Sequence, residues 1–345
     1  MPLSFEEIRK NNTCLIIAEA GVNHNGSLDL ALKLVDAACE AGCDCIKFQT
    51  YITEDDVLIS AETAAYQKEQ GMGESQYEML KRLELSFDDF RIIKKYCDDR
   101  NILFLSTAFE LKSLKFLDEI GMPFWKIPSS DIDHYPYLVE MAKTKKPIIM
   151  STGLSTMEEI EKSVKVLRDN GCDDLTILHC NTAYPTPYED VSLRAMDSIR
   201  ERFSCDVGYS DHTEGIEVSI AAAALGAKVI EKHFTLDRNM EGPDHKASIE
   251  PNELKELVKA IRHVTKALGS PVKEISNSAK TNSKAASKSI VSICDIKKGE
   301  LFTERNIACK RPGSGIEPMK WPELIGRPAK FDYLKDEFIF KEELE

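Results

Sequence analysis

The sequence predicts an α/β protein, a (β/α)8 barrel followed by a small β-rich domain, and three observations predict it. Short β-branched or aromatic runs alternate with amphipathic stretches eight times within about 250 residues, the size of a closed parallel barrel. Reactive polar residues fall at the C-terminal end of each run, where barrel active sites form. A stretch rich in Ser, Lys and Asn then separates this region from a final segment punctuated by Gly and Pro. An open doubly wound sheet is the competing architecture, because alternation alone does not show ring closure.

The expected strands are Thr13 to Ala18, Asp44 to Phe48, Ile102 to Ser106, Phe124 to Ile127, Pro147 to Met150, Leu175 to His179, Asp206 to Tyr209 and Lys228 to Lys232. Between them, apolar residues recur at threes and fours, as in Leu28, Ala31, Leu34, Val35 and Ala38, or Ile160, Val164 and Leu167. That spacing lines one face of a helix and suits it to cover a sheet. The barrel domain is assigned to residues 1–269 and a linker to 270–284, within the run SPVKEISNSAKTNSKAASKS. Residues 285–345 form the second domain, near the lower size limit for independent folding, so it is expected to lean on the barrel or on another subunit.

With 345 residues, 42% of them hydrophobic and 30% charged, the chain has ample material for a core. Its net charge of −13 argues against a nucleic-acid partner, which needs a basic face, but leaves room for a small anion held by a few focused cations. The start, MPLSFEEIRK, has no basic segment leading into an apolar run, and nowhere do about 18 apolar residues stand together. A cytoplasmic enzyme with no membrane association is therefore expected. Ten scattered cysteines lack the paired spacing of a zinc site and read as reduced structural residues.

The strand ends supply Glu19, Asn23 and His24; Lys47 and Gln49; Ser106 and Thr107; Lys126 and Ser129; Ser151 and Thr152; Asn181, Thr182 and Tyr184; Ser210, Asp211 and His212; and His233. In a barrel these converge on one mouth. Lysines embedded in apolar sequence, as in DCIKFQT and FWKIPSS, must be desolvated or face a cavity, and with hydroxyls around them they form an anion site. Each strand-end Ser or Thr is equally suited to capping the helix that follows.

His212 and His233 end the seventh and eighth runs, neighbours in a barrel, and Glu19 ends the first, next to the eighth after closure. Two imidazoles with oxygen ligands and open positions suit Mn²⁺, Fe²⁺ or Zn²⁺, with Glu19 coordinating directly or through water. Asp244, in the GPDH loop, is either a sugar ligand or a turn aspartate. Arg311, in RPGSGI, places a positive charge beside a tight turn, a weak signal by itself.

Taken together, IIAEAGVNHNGSL, CIKFQT, FLSTAF, WKIPSS, IIMSTG, HCNTAYPTPYEDV, GYSDHT, EKHFTLDRNMEGPDHKAS and KRPGSGI closely resemble the bacterial sialic acid synthase family. The family includes N-acetylneuraminate and N,N′-diacetyllegionaminate synthases, and the resemblance runs from about Leu15 to about Ile339. It implies a (β/α)8 barrel with a C-terminal antifreeze-like (SAF) domain and a swapped homodimer in which that domain covers the partner's active site. It implies Mn²⁺ or Mg²⁺ on His212 and His233 with Glu19 near the metal. Phosphoenolpyruvate would be held by Lys47, Thr107, Lys126, Ser129, Ser151 and Ser210, with Asn181 or Thr182. Gln49, Asp131, Tyr184 and Asp244 would contact an N-acetylated mannosamine-type acceptor, and Arg311 of the other protomer its N-acetyl group.

Where many members of the family carry Ser-Gly-Glu after the lysine of the fourth strand, this chain has Ser129-Ser130-Asp131, a carboxylate with shorter reach. The resemblance leaves three acceptors open. N-acetylmannosamine is the first expectation and the 2,4-diacetamido-2,4,6-trideoxy sugar the alternative, with the 6-phosphate disfavoured. A metal-dependent barrel hydrolase is the competing class. It would want more ligands on the first strand than Asn23-His24 offers.

Overall fold

β-Branched and aromatic residues in short runs favour strands, and the helical stretches between them carry their own stop and start signals. The computed structural model describes Glu7, residues 14–61 and residues 75–345. Eight strands follow: β1 (Leu15–Gly21), β2 (Cys45–Thr50), β3 (Leu103–Ala108), β4 (Trp125–Ile127), β5 (Ile148–Ser151), β6 (Leu175–Cys180), β7 (Asp206–Asp211) and β8 (Val229–His233). The helices that cover them are α1 (Leu28–Ala41), α2 (Phe87–Arg100), α3 (Leu111–Glu119), α4 (Tyr135–Lys143), α5 (Met157–Asp169), α6 (Ala195–Phe203), α7 (Glu217–Ala224) and α8 (Pro251–Leu268).

All ladders in this sheet are parallel, in the order β3-β2-β1-β8-β7-β6-β5-β4. Pairing of the first strand with the last, with Glu19 opposite His233, rules out the open doubly wound sheet. β3 and β4 lie side by side without a ladder, so the TIM-type ring is nearly closed. Most strands run one to three residues beyond their expected C-terminal ends, because inward polar residues such as Glu19, Gln49, Thr107, Ser210 and His233 continue the ladder. Of the expected first strand, Thr13 lies outside the described residues.

Helix α1 buries Ala31, Leu34, Val35, Ala38 and Ala41 and stops at Gly42, whose positive φ suits the left-handed cap. Capping boxes start α2 (Ser86 with Asp89) and α5 (Thr156 with Glu159), each satisfying amide donors the helix leaves open. At the opposite end of the barrel from the site, Arg262 of α8 forks onto Asp44 at 2.6 Å and donates to the Cys14 carbonyl, while Asp44 accepts from the Ile16 amide. This latch ties α8 to β1 and β2. All ten cysteines are free.

The chain divides after Gly269 into two compact units. In the second, β9 (Ser289–Ser292) pairs antiparallel with β10 (Ile307–Lys310), and isolated bridges add Val291 to Phe338 and Ile296 to Tyr333. Its own core holds Ile290, Phe302, Ile307, Leu324 and Tyr333. Within and just past the expected 270–284 linker, Asn277–Ala286 forms a helix, α9, capped by Ser276. No residue of α9 is buried, so it has no apolar face by which periodicity could announce it. No helix among the described residues is long and apolar enough to cross a membrane.

Candidate active site

Alternation along the strands sends every second side chain into the barrel, and at the C-terminal end those side chains are charged. Lys47 of β2 sits opposite Glu19 of β1, with Nζ 2.8 Å from Glu19 Oε2, and donates to Thr107 Oγ1 of β3 at 3.3 Å. Lys126 of β4 donates to Ser151 Oγ of β5 at 2.7 Å. Ser210 of β7 donates to Glu231 Oε1 of β8 at 3.0 Å, and that same oxygen lies 3.7 Å from both Lys47 and Lys126. Glu19, Lys47, Lys126 and Glu231 are all buried. Two ammonium and two carboxylate groups thus form one compact, water-poor cluster.

Glu231 is the residue the sequence reading missed. The signal was available: His233 points inward, so the residue two before it does too.

Burial raises the Glu19 pKa, with Lys47 opposing and Glu231 reinforcing the shift. For Glu231 burial acts in the same direction, but Lys126 and Lys47 outweigh it and hold the carboxyl below its ordinary value. Burial lowers the Lys126 pKa, whereas at Lys47 the nearby Glu19 and Glu231 overcome burial and raise it.

Beside this cluster stand the two histidines. Their ring centroids are 5.4 Å apart, and the Tyr184 ring lies 4.2 Å from His212 and edge-on to His233 at 5.7 Å. Burial pulls His212 down to about 4 and His233 well below its usual value, so both rings are neutral at pH 7 and carry a free lone pair. His212 Nδ1 lies 2.5 Å from the Asn181 carbonyl, which makes Nδ1 the protonated nitrogen and leaves Nε2 as a ligand atom. Asp244 Oδ2 is 4.0 Å from His233 Nδ1, and burial raises the Asp244 carboxyl to about 6.

Gly21 explains how Glu19, Gln49 and Asp244 come close together. Its φ of +51° belongs to the left-handed region, and a Cβ there would lie 3.4 Å from Asp244 Oδ2, 3.4 Å from Glu19 Oε1 and 3.6 Å from Gln49 Nε2. Gly153 plays the same part on the other side, where a Cβ would meet Thr182 at 3.0 Å and Ser129 Oγ at 3.4 Å.

Several expected members have hydrogen-bond partners outside the charged cluster. Ser106 hydrogen-bonds Thr50, and Thr152 donates to the Leu178 carbonyl, so both are structural hydroxyls. His24 is buried against Phe48 and accepts from the Gly26 amide, and Asn23 donates to Phe234 O and Ser248 Oγ. The chain turns after Gly21, and the polar groups of both side chains hold that turn in place. Asn181 uses its side-chain oxygen to accept from the Ala183 amide. Asp131 sits at the rim, bonded to Ser130 and His134, with Asp56 nearby. Arg311 belongs to the second unit, where its Nε donates to the Ala286 carbonyl. A cavity of about 430 Å³ between α4 and α5 reaches the expected site residues only at Ser129 and is not where the charged groups converge.

Among the described residues no three His, Cys, Asp or Glu side chains close into a metal-binding set. Glu19 is turned to Lys47 and does not complete such a set with the histidines. A divalent ion still fits the pair, because His212 Nε2 is free to ligate and His233 Nδ1 is buried with no hydrogen-bond partner among the described residues.

The NeuB family pattern matches residues 34–273, the stretch of the barrel that carries Lys47, Lys126, Glu231 and both histidines, and the SAF domain pattern matches 287–345. The chain belongs to the NeuB family. It is 48% identical to the N,N'-diacetyllegionaminic acid synthase of Campylobacter jejuni, over 94% of this chain and 98% of that protein. Its identity to the human N-acetylneuraminate-9-phosphate synthase is 36%, over 99% of this chain and 97% of that protein. Among solved structures, the N-acetylneuraminic acid synthetase of Leptospira borgpetersenii superposes with a TM-score of 0.70 at 35% identity, covering 79% of this chain and 90% of that one. As a member of this family, the chain is a phosphoenolpyruvate-dependent nonulosonic acid synthase of the transferase type.

Proposed function

We propose that this enzyme condenses phosphoenolpyruvate with an unphosphorylated, N-acetylated mannosamine-type aldehyde, and that the acceptor is the 2,4-diacetamido-2,4,6-trideoxy sugar. The observation that carries the reading is the buried Lys47–Lys126 pair facing the imidazoles of His212 and His233 across one barrel mouth. The identity of 48% to a diacetyllegionaminic acid synthase supports the acceptor. The rim supports it too: Asp131 and Asp56 stand close together there, an acidic edge that repels a sugar 6-phosphate. N-acetylmannosamine, the first expectation from sequence, becomes the second reading, favoured by the likeness to the Leptospira synthetase.

In the proposed reaction C3 of phosphoenolpyruvate attacks the aldehyde carbon of the open-chain sugar. Water then adds to C2, and phosphate departs. Lys47 and Lys126, with Thr107, Ser151, Ser210 and Ser129, hold the phosphate and carboxylate, exchanging their contacts with Glu19 and Glu231 for the substrate's oxygens. Gln49, Tyr184 and Asp244 orient the acceptor, and alignment of two substrates accounts for about 7–11 kcal/mol of rate enhancement in well-ordered sites. His212 and His233 would hold Mn²⁺ or Mg²⁺, with Glu19 and Asp244 near enough to act through water. Bound there, the ion supplies Lewis acidity to the aldehyde oxygen. Arg311 of a second copy would address the N-acetyl group in a domain-swapped dimer.

Phosphate release from phosphoenolpyruvate with each of the three sugars tests the acceptor. The diacetamido sugar is expected to give the highest kcat/KM, and preference for N-acetylmannosamine or its 6-phosphate would overturn the choice. Removing residues 285–345 is expected to lower activity more than thermal stability, and unchanged acceptor affinity would end the idea of a swapped lid.

A further inference from the structure

Between the inward-facing residues of β7 and β8 lie two outward-facing ones that no step of the reaction uses. Asp211 stands between Ser210 and His212, and Lys232 between Glu231 and His233. They form an ion pair at 3.0 Å whose members are 0% and 1% exposed. A fully buried ion pair is poor value for stability, since desolvation offsets most of the attraction and apolar residues of the same shape do as well. What this pair does is visible in where its remaining hydrogen bonds land.

Asp211 Oδ1 accepts from both the amide and the hydroxyl of Thr213, at 2.9 and 2.8 Å. Its Oδ2 accepts from Ser219 of α7 at 2.6 Å and faces Lys232. All four lone-pair directions of the carboxylate are thereby used. Lys232 in turn donates to the Thr213 carbonyl at 2.6 Å. Thus the pair grips both sides of Thr213, anchors it to β8 and α7, and leaves His212 as the one residue between two fixed points. The His212 carbonyl is itself held by the Thr186 amide at 2.8 Å.

We infer that Asp211 and Lys232 are positioning residues, a clamp on the turn after β7 that fixes the His212 backbone and so aims its Nε2 into the site. The inference rests on His212 working in that site. Neither clamp residue touches substrate, and both act through the strand end that carries the histidine.

The test is the double variant Asp211→Asn/Lys232→Met. It keeps both volumes and lets the asparagine oxygen accept from Thr213, while removing both charges and the tie to the Thr213 carbonyl. Histidine ring resonances of ¹³C-labelled protein, assigned with His212→Gln, report ring placement directly, and Mn²⁺ titration of the metal-free enzyme reports its use. The His212 resonance is expected to shift or broaden, with those of His134 and His263 unmoved. Mn²⁺ affinity should fall about 10–100-fold, the usual loss when the support behind a ligand is removed. The KM for phosphoenolpyruvate, set by Lys47 and Lys126, should not change. A folded variant with an unmoved His212 resonance and wild-type Mn²⁺ affinity overturns the inference. If the wild type itself binds no Mn²⁺, the metal reading fails, and the ring resonance alone decides the clamp. Ser219→Ala removes only one hydroxyl donor to Asp211 and serves if the double variant does not fold. A smaller shift of the same resonance supports the clamp, and none overturns it.

Discussion

Replacing Glu231 by glutamine changes one charge and almost no volume, and it probes the center of the anion site. The carboxylate lies 3.7 Å from each of two ammonium groups. At an effective dielectric of about 20, each such pair is attracted by about 4–5 kcal/mol, against a desolvation cost of several kcal/mol for every buried ion. Removing one partner leaves the lysines undercompensated, with a net loss of about 3–5 kcal/mol. For a barrel of this size that corresponds to a fall in Tm of roughly 10 °C. The amide oxygen still accepts from Ser210, so the loss is electrostatic. Glu231 occupies the lysines until an anion arrives, so the variant should be rescued by one. Thermal denaturation with and without inorganic phosphate or phosphoenolpyruvate, at low salt, should show a larger ligand-induced rise in Tm for Glu231→Gln than for wild type. An unchanged Tm together with an unchanged phosphate-induced rise would refute the view that Glu231 balances the two lysines.

Three further outcomes are expected. His24 is buried and held near pKa 4, below its ordinary 6.5, so its neutral form contributes stability that is present above pH 6.5 and lost as pH falls toward 4. The contribution is about 3 kcal/mol, and denaturant melts from pH 7 to pH 4 should show a shallower acid limb in His24→Gln. Gly21→Ala places a methyl group among Glu19, Gln49 and Asp244 at a positive φ, with a strain of about 1 kcal/mol. Steady-state kinetics should show a raised acceptor KM with that for phosphoenolpyruvate unaltered. His233→Ala should abolish metal-dependent turnover and weaken Mn²⁺ binding while the circular dichroism spectrum is retained, and full activity of the wild type in chelator-treated buffer would contradict the metal assignment.

Much of the architecture was legible because it rests on local patterns. Strand-length apolar runs and the three-four spacing of Leu34, Val35 and Ala38 announce β1, α1 and their successors without any long-range information. Strand ends were misjudged where polarity was taken for loop, since inward residues such as Ser210 and His233 remain in the ladder. The helix at 277–286 buries nothing, so no apolar periodicity distinguishes it from a linker.

Within the site, lysines in apolar surroundings and histidines on successive strands could be picked out by chemistry alone. Which hydroxyls serve the anion could not: Thr107 and Ser151 meet lysines, whereas Ser106 and Thr152 spend theirs on Thr50 and a backbone carbonyl. Glu231 shows the same limit, because its importance arises from 3.7 Å contacts to residues 184 and 105 positions away in the chain (231 − 47 and 231 − 126). By itself, then, the sequence determined the order of elements, the residue types available at each strand end, and the family. Tertiary structure alone decided which of those side chains face one another, because facing depends on register across a ring that β1 and β8 close, and charge interactions at a few ångströms in a dry interior depend on that register.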